Sequence, residues 1–200
     1  MGRSSTARQR LVASAGRRIH ASSYAAASVE ELCADAGVQK GSFYYFFPSK
    51  RDLALAAIDD QWAKTVEHIL EPAFAADMEP LDRIVRFFHL VAEYQRARVV
   101  RGCPFGNLAA EMGTQDKVIR ARIRQVFDNY LSYFQQALRE AAGSGAFQVD
   151  NIERAARALL ALLQGALLLA KTNNDASIID SMAEQALGLV VATPRVLESR

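Results

Sequence analysis

Thiols are scarce in this chain: its 200 residues include two cysteines, Cys33 and Cys103. That is neither the number nor the spacing of a disulfide framework or a zinc site, and it fits a reducing compartment. Long apolar runs are also lacking. The longest, Ala158 to Ala170, is interrupted by Gln164 and falls short of the roughly 18 residues of a membrane span. It reads as a buried helix, with no membrane partner. The basic N-terminus, MGRSSTARQR, is not followed by an apolar signal core; secretion is therefore not expected, and the cytoplasm is. Nucleophile elbow, phosphate loop and paired metal ligands are all missing. The three histidines, His20, His68 and His89, are scattered without metal-ligand spacing. No catalytic residue, metal or cofactor is expected, and a helical enzyme is a remote alternative.

What the chain does have is an ordinary globular composition, half hydrophobic and 23% charged. It is long enough for one domain with a substantial core, or for a small module fused to a larger one. The formal net charge of +2 is unevenly distributed. Up to Arg51 eight basic residues, Arg3, Arg8, Arg10, Arg17, Arg18, Lys40, Lys50 and Arg51, stand against Glu30, Glu31 and Asp35. This quarter sums to about +5 and the remainder to about −3, so the first quarter is the part suited to meet an anion. A solvated basic face would give the same pattern.

Helical signals run from end to end and strand signals are nearly absent. Leu11, Val12, Ala15 and Ile19 repeat at helical spacing, with arginines on the other face, and a first helix should end near Ser22. Ser28 followed by Glu31 is a capping box, and Gly37 suits the left-handed residue that closes a short second helix. A third runs from Gln39 to about Phe46. Ser49 with Asp52 then starts a long fourth helix towards Pro72. Further helices are expected at about 81–99, 104–112, 116–142, 150–172 and 176–192, separated by turn-rich breaks. The expectation is an all-α fold of about nine helices: a three-helix head over residues 1–52 and about six helices over 53–200.

The second and third helices, joined at Gly37, have the lengths of a helix-turn-helix, whose second helix enters the major groove of DNA. Phe43 and Phe47 lie four apart and should pack the core of the head with Val38 behind them. The opposite surface holds Lys40, Ser42, Tyr44 and Tyr45, because a head this small lacks the interior for five rings. Gly41 permits close backbone approach, Lys50 adds a cation, and Ser28 presents a helix start to phosphate.

The stretch SVEELCADAGVQKGSFYYFFPSKRDLALAAID closely resembles the recognition region of tetracycline-repressor-like (TetR family) transcriptional regulators. The family pattern is matched without a break from Ser28 to Leu53. The resemblance implies double-stranded DNA contact at Ser28, Lys40, Gly41, Ser42, Tyr44, Tyr45 and Lys50. It also implies a homodimeric repressor that a small-molecule inducer releases from a palindromic operator. Two departures bear on the contact set: Phe46 stands where the family often has histidine, and Ser23 where glycine usually precedes the aromatic Tyr24.

The remainder of the chain fits a C-terminal domain that dimerises and holds a pocket. From Ile152 to Ala170 apolar positions wrap almost the whole helix, and Ile178, Ile179, Met182, Ala186, Leu187 and Val190 form a stripe on the last one. Helices 150–172 and 176–192, paired with two-fold copies, would make a four-helix interface. Most of the large aromatics should be core; candidates to line a ligand cavity are Trp62, Phe88, Cys103, Phe105, Phe127, Tyr130 and Phe134. RGCPFGNLAAEMG resembles a GCPxGNLAxE motif of a branch of these regulators that includes multidrug-resistance and flavonoid- or electrophile-responsive repressors. Pro104 suits a first helical position, which puts Cys103 at a helix start near Arg101. Two readings follow: a reactive, redox-sensing thiol, or a small apolar filler in a packing turn.

Overall fold

A computed structural model describes residues 2–97, 99–144, 149 and 151–191. Among these residues no strand occurs, and the chain order is α1 (Gly2–Ala21), α2 (Val29–Ala36), α3 (Lys40–Phe46) and α4 (Lys50–Thr65). A π-helical turn, Val66–Leu70, and α5 (Glu71–Ala73) continue α4. Then come α6 (Pro80–Arg96), α7 (Pro104–Met112), α8 (Lys117–Gly143), α9 (Ile152–Asn173), α10 (Ser177–Ser181) and α11 (Ala183–Val191). With the continuous run 50–73 counted once, and 177–191 counted once, the described residues form nine helices.

The punctuation has local causes. Ser28 accepts the Glu31 amide while the Glu31 carboxylate accepts the Ser28 amide, closing the capping box at the start of α2. Gly37 ends that helix at φ 60°, ψ 41°, a left-handed geometry natural to glycine. Ser49 starts α4 by accepting from the Asp52 amide at 3.3 Å. Asn151 does the same for α9 by accepting from Arg154 at 2.8 Å. That helix therefore begins at Ile152 rather than 150, and Asp150 lies outside the described residues.

Two expected boundaries differ. α6 stops at Arg96 instead of reaching 99, and Val99 and Val100 are non-helical. Both are β-branched, and they lead into Gly102 at φ 73°. The single last helix expected at 176–192 is two helices separated at Met182, and residue 192 lies outside the described residues.

The described chain divides into two compact units. One contains residues up to His68 together with Arg101–Asp128; the other contains Ile69–Val100 together with the residues from Asn129 onward. In the first, α1 packs on α2, α4 and α7 around Leu11, Ala15, Leu32, Phe43, Phe47 and Leu53, all buried. In the second, α6 and α9 pack against α10 and α11. The rings of Phe74, Phe88, Tyr130 and Phe134 surround Phe87 with centroids 5.3–6.1 Å away. Arg83, almost wholly buried, donates from each of its three nitrogens there: to the Met78 and Ala76 carbonyls and to Glu140 at 2.6 Å.

α9 is long and apolar enough, by length and composition, to cross a membrane. In this fold its buried side is Ala155, Ala156, Leu159, Leu163, Ala166, Leu167 and Ala170, facing the other helices of its unit.

Candidate nucleic-acid interface

The seven-residue helix α3 divides its aromatics by face. Phe43 is completely buried and Phe47 nearly so, whereas Tyr44 is 55% exposed and Tyr45 79%. The hydrophobic effect explains the buried pair, since a head of this size gains most by enclosing rings without a polar tip. Tyr44 meets Phe43 edge-on at 5.1 Å, and Tyr45 meets the half-buried Phe46 at 4.9 Å. Each exposed tyrosine thus stands edge-on against a neighbouring phenylalanine ring.

Lys40, Gly41 and Ser42 share this exposure. A methyl group added at Gly41 would meet nothing within 4 Å, so packing within the chain does not require glycine there. Beside these residues runs an open groove of ≈ 350 Å³ lined by Arg10, Gly37, Gln39, Ser42, Tyr45 and Phe46. Gln39, at the N-cap of α3, makes no capping hydrogen bond and is exposed. Sequence reasoning passed over Gln39, although its place two residues after the helix-turn-helix glycine, at the start of α3, could have marked it.

The charges of the head are more committed than their sum suggests. Asp35 binds Arg17 at 2.7 Å and lies 3.7 Å from Arg18. Lys40 pairs with Glu30, and this hydrogen bond lowers the carboxyl pKa and raises that of the ammonium. Arg51 lies 3.6 Å from Asp116, whose carboxylate also accepts the Val118 and Ile119 amides at the start of α8. Arg8, stacked 5.1 Å over Phe47, and Arg10 are exposed and have no carboxylate partner among the described residues.

Two of the residues expected at DNA are strongly engaged inside the head. The Lys50 ammonium donates to the Tyr24 carbonyl at 2.8 Å and the Ala27 carbonyl at 3.0 Å, and sits 4.3 Å over the Tyr24 ring. It is a clasp on the α1–α2 loop with one N–H left over. Ser28 is occupied by its capping box, its hydroxyl directed at Glu31 at 2.9 Å. Neither the clasp nor its carbonyl partners carry a local sequence signal.

The residues proposed for a ligand cavity fall in both compact units. Trp62, Cys103, Phe105 and Phe127 belong to the first; Phe88, Tyr130 and Phe134 belong to the aromatic cluster of the second. Phe105 meets Trp62 at 6.3 Å and borders a crevice of ≈ 30 Å³ with Ile19, Ala57, Ile58 and Leu108, room for about one water. Cys103 is 7% exposed and is the N-cap of α7, its Sγ accepting from the Gly106 amide at 3.3 Å. Cys33 is buried in the head, and desolvation raises its pKa.

On α9 the side away from its neighbours carries Ala161, Gly165, Leu168 and Leu169, and α11 adds Leu189. The two leucines of α9 are 62% and 55% exposed, an apolar surface with small residues one turn behind it. Nε2 of Gln164, on the same helix, is a buried donor with no partner among the described residues.

Comparison with known proteins finds relatives along most of the chain. Residues 11–57 match the family described as bacterial regulatory proteins, tetR family; residues 80–186 match the tetracyclin repressor-like C-terminal domain. The transcriptional regulator AcuR of Cereibacter sphaeroides is 34% identical over 171 residues, 84% of this chain and 77% of that protein. The HTH-type transcriptional repressor DhaR of Mycobacterium sp. (strain GP1) is 26% identical over 86% of both chains. The crystal structure of regulatory protein TetR from Rhodobacter sphaeroides superposes with a TM-score of 0.83 at 29% identity, covering 92% of this chain and 99% of that one.

Proposed function

The chain belongs to the TetR family of bacterial regulatory proteins, a DNA-binding helix-turn-helix transcriptional regulator and not an enzyme, and from that premise we propose that it acts as a homodimeric, cytoplasmic repressor released by a small-molecule inducer. The observation that carries the DNA-binding surface is the division of α3 into a buried phenylalanine face and an exposed face of Lys40, Gly41, Ser42, Tyr44 and Tyr45. On this reading residues 1–52 bind DNA and 53–200 bind ligand and dimerise. Ser28 and the remaining N–H of Lys50 meet phosphate, while side chains of α3 reach base edges.

The partner in the dimer is a second copy of the chain, seated on the exposed apolar side of α9 and on α11. Two heads one DNA turn apart, about 34 to 36 Å, then meet successive major grooves of a palindromic operator. An inducer held more tightly when the heads are wrongly spaced draws the population away from DNA, by as much as its affinities for the two forms differ. The orphan amide of Gln164 supports a polar contact from an inducer or from the second subunit.

The test is an electrophoretic shift with duplex selected from a random-sequence pool by the wild-type protein. Lys40→Ala and Tyr45→Ala are expected to lose the shift while remaining dimers; undiminished binding by both rules out α3 as the reading helix. A second reading, release through oxidation or alkylation of Cys103, is favoured by the amide its sulfur accepts at the start of α7. Equal release of wild type and Cys103→Ser by a quinone excludes it.

A further inference from the structure

The segment Gly102 to Glu111 holds chemistry that DNA contact does not use. The loop between α1 and α2, residues 22–28, has backbone amides that no helix satisfies, and such groups need partners. Ala26 finds one in the Ser23 hydroxyl at 3.0 Å. Tyr24 and Ala25 find theirs on another helix: their amides donate to Oε2 and Oε1 of Glu111 at 2.8 and 2.7 Å. A carboxylate suits this task, because both oxygens only accept and two successive amides present two donors side by side.

Other contacts fasten the same region. His20 Nε2–H donates to the Gly102 carbonyl at 3.1 Å, and the amide of Asn107 holds the Arg101 carbonyl at 2.9 Å. Lys50 grips the same loop through the Tyr24 and Ala27 carbonyls. Arg101–Asp128 accordingly belongs to the same compact unit as the three-helix head, although about fifty residues of chain lie between that stretch and Lys50.

We propose that Glu111 is a positioning residue for DNA binding. Its carboxylate fixes the α1–α2 loop, and with it the Ser28 cap and the α2–α3 pair, to α7, so that a displacement of α7 reaches the reading helix through this contact. The proposal rests on the DNA-binding reading above.

It is tested on the whole 200-residue chain with duplex recovered from a random pool by wild type. Glu111→Gln keeps the length and one acceptor but turns an NH₂ towards the second amide, whereas Glu111→Ala removes both acceptors. Affinity is expected to fall about tenfold for Gln and further for Ala, with thermal midpoint within a few degrees of wild type and active fraction unchanged. The slope of log K against log salt should also be unchanged, because the same phosphates are met once the head is bound. In hydrogen exchange the Tyr24 and Ala25 amides should open faster in Glu111→Gln while those of α1 do not change.

Wild-type affinity in both variants, wild-type exchange at Tyr24 and Ala25, or a loss of binding matched by a loss of active fraction each overturns the proposal. A wild-type chain that retains no duplex from the pool overturns the DNA-binding reading instead, and the exchange measurement still decides the clamp.

Discussion

Replacing Phe43 by alanine tests the claim that α3 is held by its phenylalanine face. The ring is wholly buried, 6.1 Å from Phe47 and edge-on to Tyr44. Removing it forfeits about 1.5 to 3 kcal/mol of apolar burial. The cavity left among Leu11, Leu32 and Leu53 brings the total to about 3 to 5 kcal/mol, as for other buried phenylalanines. For a chain of this length each kcal/mol moves the midpoint by roughly 2 to 4 °C, so unfolding should come roughly 6 to 20 °C earlier.

Tyr44→Ala, one residue along, removes a ring that is 55% exposed and meets the edge of Phe43. It should cost about 0.5 to 1.5 kcal/mol. Urea denaturation followed by circular dichroism, with duplex binding by fluorescence anisotropy, separates the two: the first variant loses stability and the second loses DNA. A Phe43→Ala midpoint equal to that of Tyr44→Ala would refute the assignment of faces on which the interface depends.

Gly37→Ala places a side chain at φ 60°, where its Cβ meets only the Arg10 guanidinium at an ordinary 3.5 Å. The cost is therefore backbone strain of about 1 to 2 kcal/mol, read as a lower urea midpoint, and an unchanged midpoint contradicts it. Glu140 has its pKa held below 4.5 by the Gln136 amide and the Arg83 guanidinium. A carboxyl depressed on folding contributes fully above its unfolded value and loses that contribution as pH falls through the folded one, so Glu140→Gln should flatten the stability curve below about pH 4.5. Denaturation midpoints whose gap between variant and wild type is the same at pH 3 and pH 7 would count against this. Leu168→Asp alters an exposed position and should leave the fold within about 0.5 kcal/mol, yet put a charge in the proposed subunit contact. Sedimentation should then report a 22.0 kDa monomer, and a persistent dimer removes α9 from the interface.

Local grammar made much of this fold legible. The Ser28 and Glu31 box, Gly37 and the Ser49 cap each act within a few residues, and the four-residue spacing of Phe43 and Phe47 gives their shared face directly. What escaped is what joins distant stretches: Glu111 lies 86 residues or more from the amides it accepts, and Lys50 23 or more from its carbonyls. Periodicity carries no record of which surface polar group meets which loop. Six of the seven cavity candidates are large aromatics, a criterion blind to which compact unit each joins. Arg17, Arg18 and Lys40 were counted as charge, while their pairing with Asp35 and Glu30 depends on how α1, α2 and α3 cross.

If α3 is the reading helix, the bond between Lys40 and Glu30 gives it a stand-in for phosphate. On the proposed reading an approaching duplex competes with this exposed carboxylate for the ammonium, whose other N–H donors are open to a phosphate oxygen, so contact at this position shares or exchanges anions. Random duplex, offering backbone charge alone, gains little from the swap; a sequence that also satisfies the neighbouring phenols and hydroxyl gains more. On that reading, discrimination between an operator and the bulk of a genome begins in an exposed ion pair on the surface of the head.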